Sequence, residues 1–170
     1  MKATIAILFF IIPFCSSAQK EIIFSEEVET VFRTTDSTQN FYLALVPMTA
    51  VKGLLVILPG FGGAPRDMLK ETDLPSKATR EGYLVIIPYL AFQTNTSDSI
   101  SQSRLTTLII EVIKKYDVPP DNFVIGGHSI GGNSALLYAE NALKPSNRKA
   151  VKPNLAFGVD PPLDRPVEEC

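Results

Sequence analysis

One histidine, His128, and two cysteines, Cys15 and Cys170, are all that the 170 residues offer of the side chains that most often bind transition metals. Two cysteines allow at most one disulfide, and no cluster of Cys and His has the spacing of a zinc site. Asp67, Glu71 and Asp73 have no histidine or cysteine near them and read as solvated charges at helix ends, not as metal ligands. An excess of either charge is also missing. The 16 basic and 18 acidic side chains leave a net charge of −2, which excludes a general attraction to nucleic acid or anionic lipid. Neither G-x-x-x-x-G-K-S/T nor G-x-G-x-x-G occurs, so the glycine loops that cradle nucleotide phosphates are absent. No internal repeat, low-complexity tract or interdomain linker is visible. What remains is a chain of 18.6 kDa, 45% hydrophobic and 20% charged. That is enough for one domain with a real core and too little for two.

The first residues read as an export signal. Lys2 precedes an apolar run from Ala3 to Phe14, and Cys15-Ser16-Ser17-Ala18-Gln19 supplies the small residues of a cleavage site, with the cut expected after Ala18. The run falls well short of the ~20 residues that cross a bilayer, so no stable membrane insertion is expected after cleavage. The expected division is residues 1–18 as signal peptide and 19–170 as one folded domain, secreted or periplasmic. Lipid attachment at Cys15 is the weaker reading, because Pro13 and Phe14 are bulky where that processing favours small residues. A buried N-terminal strand is weaker still. Cleavage leaves Cys170 alone, with no internal disulfide possible.

Beyond the signal, strands alternate with helices. Val28 to Arg33 and Phe41 to Val46 read as an antiparallel hairpin joined by the polar stretch 34–39. Leu54 to Leu58, Leu84 to Ile87, Phe123 to Ile125 and Leu155 to Val159 are unbroken apolar runs, as expected of strands buried on both faces of a parallel sheet. Leu105, Leu108, Ile109, Val112, Ile113 and Tyr116 mark one side of a helix that ends before Pro119-Pro120. Two short helices are predicted over Pro65 to Lys70 and Pro75 to Glu81, the second closed by Gly82. Another begins near Gly131 and stops at Pro145. The predicted fold class is α/β: a mostly parallel sheet with an N-terminal antiparallel hairpin and helices on both faces.

Ligands bind such sheets at the carboxyl ends of the strands, and three of those ends are unusual. Gly127-His128-Ser129-Ile130-Gly131 matches G-x-S-x-G between a buried strand and a helix. Held on so sharp a turn, a serine takes a strained backbone, and β-carbons two residues either side would collide where strand and helix converge. Gly127 and Gly131 remove those β-carbons, and the Ile130 amide at the helix start points toward an oxyanion. A plain glycine-rich loop or a phosphate-binding turn is the competing reading. The second end is Leu58-Pro59-Gly60-Phe61-Gly62-Gly63, where glycines let backbone amides approach a bound group. The third is Gly158-Val159-Asp160-Pro161, with a carboxylate just past a strand.

With the elbow and the Pro-Gly-Phe-Gly-Gly turn in this order, the chain from Gly53 to Asp160 resembles the α/β-hydrolases, specifically secreted esterase and lipase-like members. The resemblance implies Ser129 as nucleophile, the amides of Ile130 and Phe61 as oxyanion donors with Gly62 as the alternative, a small-molecule ester as substrate, and no cofactor. Phe61 also reads as a wall of the acyl pocket. Asp160 is a candidate triad acid, competing with a simple Asp-Pro turn; Asp164 is a weaker one.

A serine nucleophile needs a neighbouring base. His128 is adjacent to Ser129, and adjacent side chains on a tight turn diverge, so it reads as a packing or orienting residue and the catalytic histidine is absent. In the family the sheet normally has eight strands with the base on a loop after the last, whereas this chain reads as ending about where the sixth strand does, and residues 161–170 are polar and proline-rich. The expectation is therefore an incomplete, C-terminally truncated α/β-hydrolase fold, inactive as it stands, whose last strand is left as an apolar edge that favours self-association. A non-catalytic binding module and an acyltransferase are the other readings. Asn95-Thr96-Ser97 matches a glycosylation acceptor. Tyr89 and Phe92 read as loop-closing or pocket-lining residues.

Overall fold

The computed structural model describes residues 28–33, 41–89 and 98–162. The signal segment with Cys15, the hairpin loop, Phe92, Asn95, Asp164 and Cys170 lie outside the described residues. Six strands and four helices follow one another as β1 (Val28–Phe32), β2 (Phe41–Leu45), β3 (Gly53–Leu58), α1 (Pro65–Glu71), α2 (Leu74–Arg80), β4 (Tyr83–Tyr89), α3 (Ser99–Lys115), β5 (Phe123–His128), α4 (Ile130–Leu143) and β6 (Leu155–Val159). They form one sheet in the order β1-β2-β4-β3-β5-β6. β1 and β2 run antiparallel to each other, and β2 antiparallel to β4; the β3–β4, β3–β5 and β5–β6 pairs are parallel. The expected hairpin and alternating strands and helices are all present.

Two apolar layers hold the sheet. On one face Leu43, Leu45, Leu55, Ile57, Val85 and Ile87 pack against Met68 and Leu69 of α1, with Ala78 of α2 at the margin. On the other, Leu54, Val56, Leu84, Ile86, Phe123 and Ile125 pack against Leu105, Leu108, Ile109 and Val112 of α3 and Ala135, Tyr138 and Ala142 of α4. Central strands buried on both sides explain the continuous apolar runs. β4 and β5 flank β3, and the helices after β3 and after β5 lie on opposite faces. The chain thus leaves the ends of β3 and β5 in opposite directions, which opens a crevice between them.

Boundaries differ from expectation where side-chain pattern is a poor guide. α3 starts at Ser99, well before Leu105, because Asp98 Oδ1 accepts the Ser101 N–H at 2.7 Å as an N-cap. β5 continues through Gly126 and Gly127 to His128; glycines weaken strands in isolation, yet here they keep full register with both β3 and β6. β4 extends through Pro88 to Tyr89, past its last residue paired with β3, so the missing proline N–H costs that ladder nothing. Tyr89 stacks on Phe41 across the β2–β4 pair, with centroids 5.2 Å apart. Gly82 ends α2 with φ 96° and its N–H on the Thr79 carbonyl, as a C-terminal glycine does.

The acids near α1 and α2 serve those helices. Asp67 Oδ2 accepts the Ala64 N–H at 3.1 Å, and that bond, with Lys70 second, holds its carboxyl below the usual carboxylate range. Asp73 is lowered by its bond with Lys77. Among the described residues no group of three His, Cys, Asp or Glu side chains could hold a metal ion, and no helix is long and apolar enough to cross a membrane.

Candidate active site

Ser129 sits at the apex between β5 and α4 with φ 52° and ψ −124°, and is the N-cap of α4. A positive φ on a β-carbon-bearing residue stores roughly 1–3 kcal/mol unless the surroundings impose it. The surroundings here do. The Ser129 N–H donates to the Val159 carbonyl at 2.8 Å, and the Ser129 carbonyl accepts the Asn133 N–H at 3.1 Å. The residue is pinned from the sheet side and from the helix side at once.

The glycines at the elbow are set by backbone, not by side chains. A β-carbon on Gly127 would lie 2.5 Å from the Leu58 carbonyl oxygen and 2.6 Å from the Gly131 carbonyl carbon, and one on Gly131 would run into the carbonyls of Leu58 and Pro59. The expected collision between strand and helix is therefore real, and the end of β3 is a third party to it. Further contacts were not visible in the motif: a β-carbon on Gly126 would enter the Phe157 ring, and one on Gly132 would lie 3.0 Å from Gly158 Cα. Gly126 and Gly132 thus let β6 and α4 close on the elbow, and the only sequence signal for them was the doubling of each glycine.

The turn after β3 faces this apex. Leu58 is in register with Gly127, so the following residues run alongside His128 and Ser129. A β-carbon on Gly60 would lie 3.2 Å from His128 Nδ1 and 3.5 Å from the Ser129 β-carbon. Gly60 to Gly63 is closed by the Gly63 N–H on the Gly60 carbonyl at 3.1 Å, with Gly62 at φ 74°. A positive φ at the third residue is the mark of a type II turn and calls for glycine there. Phe61, at its corner, is 66% exposed. The sequence therefore brings together Ser129, Ile130, Phe61, Gly62, Gly127 and Gly131, all at the carboxyl ends of β3 and β5.

His128 is exposed at the end of β5, and its ring lies beside Gly60. Being solvent-facing, it packs against the turn, not within the core. Asp160 follows β6 directly and is exposed with φ 50°, a conformation that aspartate tolerates better than most residues. The β5–β6 register brings Val159 beside His128, so Asp160 lies one step along from the elbow. Pro161 packs on Gly132 and Gly158, and Asn133 Nδ2 donates to the Pro162 carbonyl at 3.5 Å. These contacts tie the segment after β6 to the first turn of α4.

No family model and no curated protein matches the sequence. Solved structures do. Acetyl xylan esterase from Aspergillus awamori superposes with a TM-score of 0.51 at 18% identity, over 66% of this chain and 46% of the esterase. S-formylglutathione hydrolase from Staphylococcus aureus gives 0.54 at 17% identity over 68% and 51%, and a thermostable carboxyl esterase from Bacillus coagulans gives 0.53 at 17% over 78% and 44%. The chain spans about half the length of these structures. At such identities the likeness concerns the fold. The chain has an α/β-hydrolase fold, present in part, with a mixed sheet of six strands and helices on both faces.

Proposed function

We propose that this chain carries the nucleophile and oxyanion half of a serine hydrolase acting on carboxylic esters. The observation that carries the reading is Ser129 itself: a strained serine at the topological switch point, flanked by glycines that exist only to let three backbones converge. Without chemistry to perform, a loop at that place gains nothing from the strain, which weighs against the binding-module reading. The esterases and hydrolases among the solved structures of this fold point the same way.

In this reading the Ser129 Oγ attacks the ester carbonyl carbon, its proton passes to a base, and the carbonyl oxygen becomes an oxyanion. The Ile130 amide, at the positive end of α4, and the Phe61 amide across the crevice receive that charge, with Gly62 as the alternative second donor. Collapse expels the alcohol, which takes up a proton, and leaves an acyl-enzyme on Ser129; water then attacks the acyl carbon and releases the acid. Asp160 is the candidate acid that orients the base. The one histidine, His128, faces the turn at Gly60 from a position adjacent to the nucleophile, so no base is assigned among these residues.

Loss of the base in a serine triad costs on the order of 10⁶ in turnover and leaves about 10³–10⁴ over water. The 170 residues alone should therefore turn over p-nitrophenyl acetate about 10⁶-fold more slowly than a complete triad would. Fast turnover that disappears in Ser129→Ala would show that a base is present after all. Prolonged exposure to a fluorophosphonate, followed by peptide mass spectrometry, should place a slow adduct on Ser129. Adducts on other serines with none on Ser129 would remove the nucleophile assignment.

A further inference from the structure

The far end of α4, about 21 Å from Ser129 along a 14-residue helix, carries a second concentration of chemistry. From Asn141 to Val159 the sequence has no Asp or Glu, yet Lys144, Arg148, Lys149 and Lys152 fall within it. All but Lys149 line an open cleft of about 450 Å³, together with Leu143, Pro145 and Ala150 among others. Three cations and no acid line this cleft, on a chain whose net charge is −2. Its remaining wall is largely apolar, with Leu143 68% exposed at the mouth.

Helix-end electrostatics accounts for only one of these cations. Lys144 caps α4 and is already engaged, with Nζ 2.9 Å from Asn141 Oδ1 and 3.6 Å from Glu140. Arg148 and Lys152 come after the chain has left the helix, and neither forms an ion pair among the described residues. The loop that carries them is held firmly. Asn147 N–H bonds to the Lys144 carbonyl and Ala150 N–H to the Asn147 carbonyl. The hydroxyl of buried Tyr138 donates to Val151 at 3.0 Å, and Asn154 is bonded to Phe123 through both backbone and side chain. Like charges gathered on a braced loop cost stability through mutual repulsion, and a bound anion would relieve it without a large ordering penalty.

We propose that this cleft binds an organic anion with two negative charges and a small apolar body, such as an organic phosphate. Arg148 and Lys152 take the charged group, while Leu143, Pro145 and Ala150 take the body. The site is independent of Ser129 and of the reading given above.

The test uses 2-naphthyl phosphate as a fluorescent probe, with inorganic phosphate for the charge alone and 2-naphthol for the body alone. Saturable binding of 2-naphthyl phosphate is expected, about tenfold tighter than that of inorganic phosphate because the ring is buried, and weaker as salt is raised. Arg148→Glu/Lys152→Glu should lose the binding. Arg104→Glu/Lys114→Glu, which changes the net charge equally on exposed positions of α3, should keep it, as should Ser129→Ala. Far-UV circular dichroism reports whether each variant is folded. The milder Arg148→Gln/Lys152→Gln should weaken binding by a smaller factor. Equal loss in the α3 variant, unchanged binding in the glutamine variant, inorganic phosphate binding as tightly as the naphthyl ester, or no saturable binding would each overturn the proposal.

Discussion

The Ser129 N–H donates to the Val159 carbonyl at 2.8 Å, so the apex of the elbow is also the last rung between β5 and β6. The nucleophile candidate is thereby braced by the strand that is itself least protected. β6 is an edge of the described sheet, and Leu155 and Val159 are each 57% exposed. Leu155, Phe157 and Val159 alternate onto one face, the face of α1 and α2, and α4 packs on the other side of the strand.

At that edge the strand Leu-Ala-Phe-Gly-Val contains neither a charge nor a proline to discourage pairing. The purified chain should self-associate with rising concentration, and Leu155→Lys should shift it toward monomer in sedimentation velocity. Thermal stability should change little, because Leu155 is more than half exposed and contributes little burial. An unchanged sedimentation profile would mean that the edge is not the contact.

Strain at position 129 predicts an inverted substitution ranking. Glycine accepts φ 52° freely, whereas alanine keeps the β-carbon penalty and loses only the hydroxyl. Set against the greater flexibility of glycine in the unfolded chain, Ser129→Gly should still be more stable than Ser129→Ala by about 1 kcal/mol. Denaturant midpoints of the two variants decide it. Equal midpoints would show that the positive φ costs nothing here.

At the glycines the ranking runs the other way. Gly131→Ala drives a methyl group into the backbone carbonyls of Leu58, the last residue of β3 and paired with Gly127, and of Pro59, the next residue. A loss of about 3 kcal/mol is expected, the upper end for overpacking. Gly63→Ala is the control: its β-carbon would meet the Gly60 oxygen at 3.3 Å, a contact that a small shift relieves, so the change should stay within about 1 kcal/mol. Comparable losses in urea unfolding would remove the distinction between the elbow glycine and an ordinary turn glycine.

Much of this was legible in the sequence, and for definite reasons. The runs at Leu54–Leu58 and Leu84–Ile87 are buried on both faces, and a doubly buried strand can be written in few other ways. The elbow was legible because its glycines answer to fixed backbone, which admits no substitute. Less legible were the features decided by partners remote in sequence. Gly126 and Gly127 lie beyond the apolar run that ends at Ile125, and their place in β5 is explained only by Phe157 and Leu58, which fill their β-carbon positions. The early start of α3 depended on Asp98, one polar residue before a stretch with no apolar periodicity. Tyr89 lay five residues beyond the start of an apolar run, and only Phe41 across the sheet explains its ring.

The face packed by α3 predicts an alkaline limit to stability. Tyr42 is 3% exposed, and burial, reinforced by the neighbouring Tyr116 hydroxyl, pushes its phenol up to about 12 against the partial opposition of Lys115. The folded chain holds this proton more tightly than the unfolded one, whose tyrosine titrates near 10. Below about pH 10 both states are protonated and the stabilisation is fully present. As pH rises from there through about 12, the unfolded state sheds its proton first and the stabilisation is lost. Urea midpoints measured across that window should therefore fall with pH more steeply in the wild type than in Tyr42→Phe, which has no proton to lose at that position. Tyr138, raised by its own burial, remains in both proteins, so the variant curve should flatten without becoming level. Parallel curves would mean that the Tyr42 phenol is as free to ionise in the folded chain as in the unfolded one.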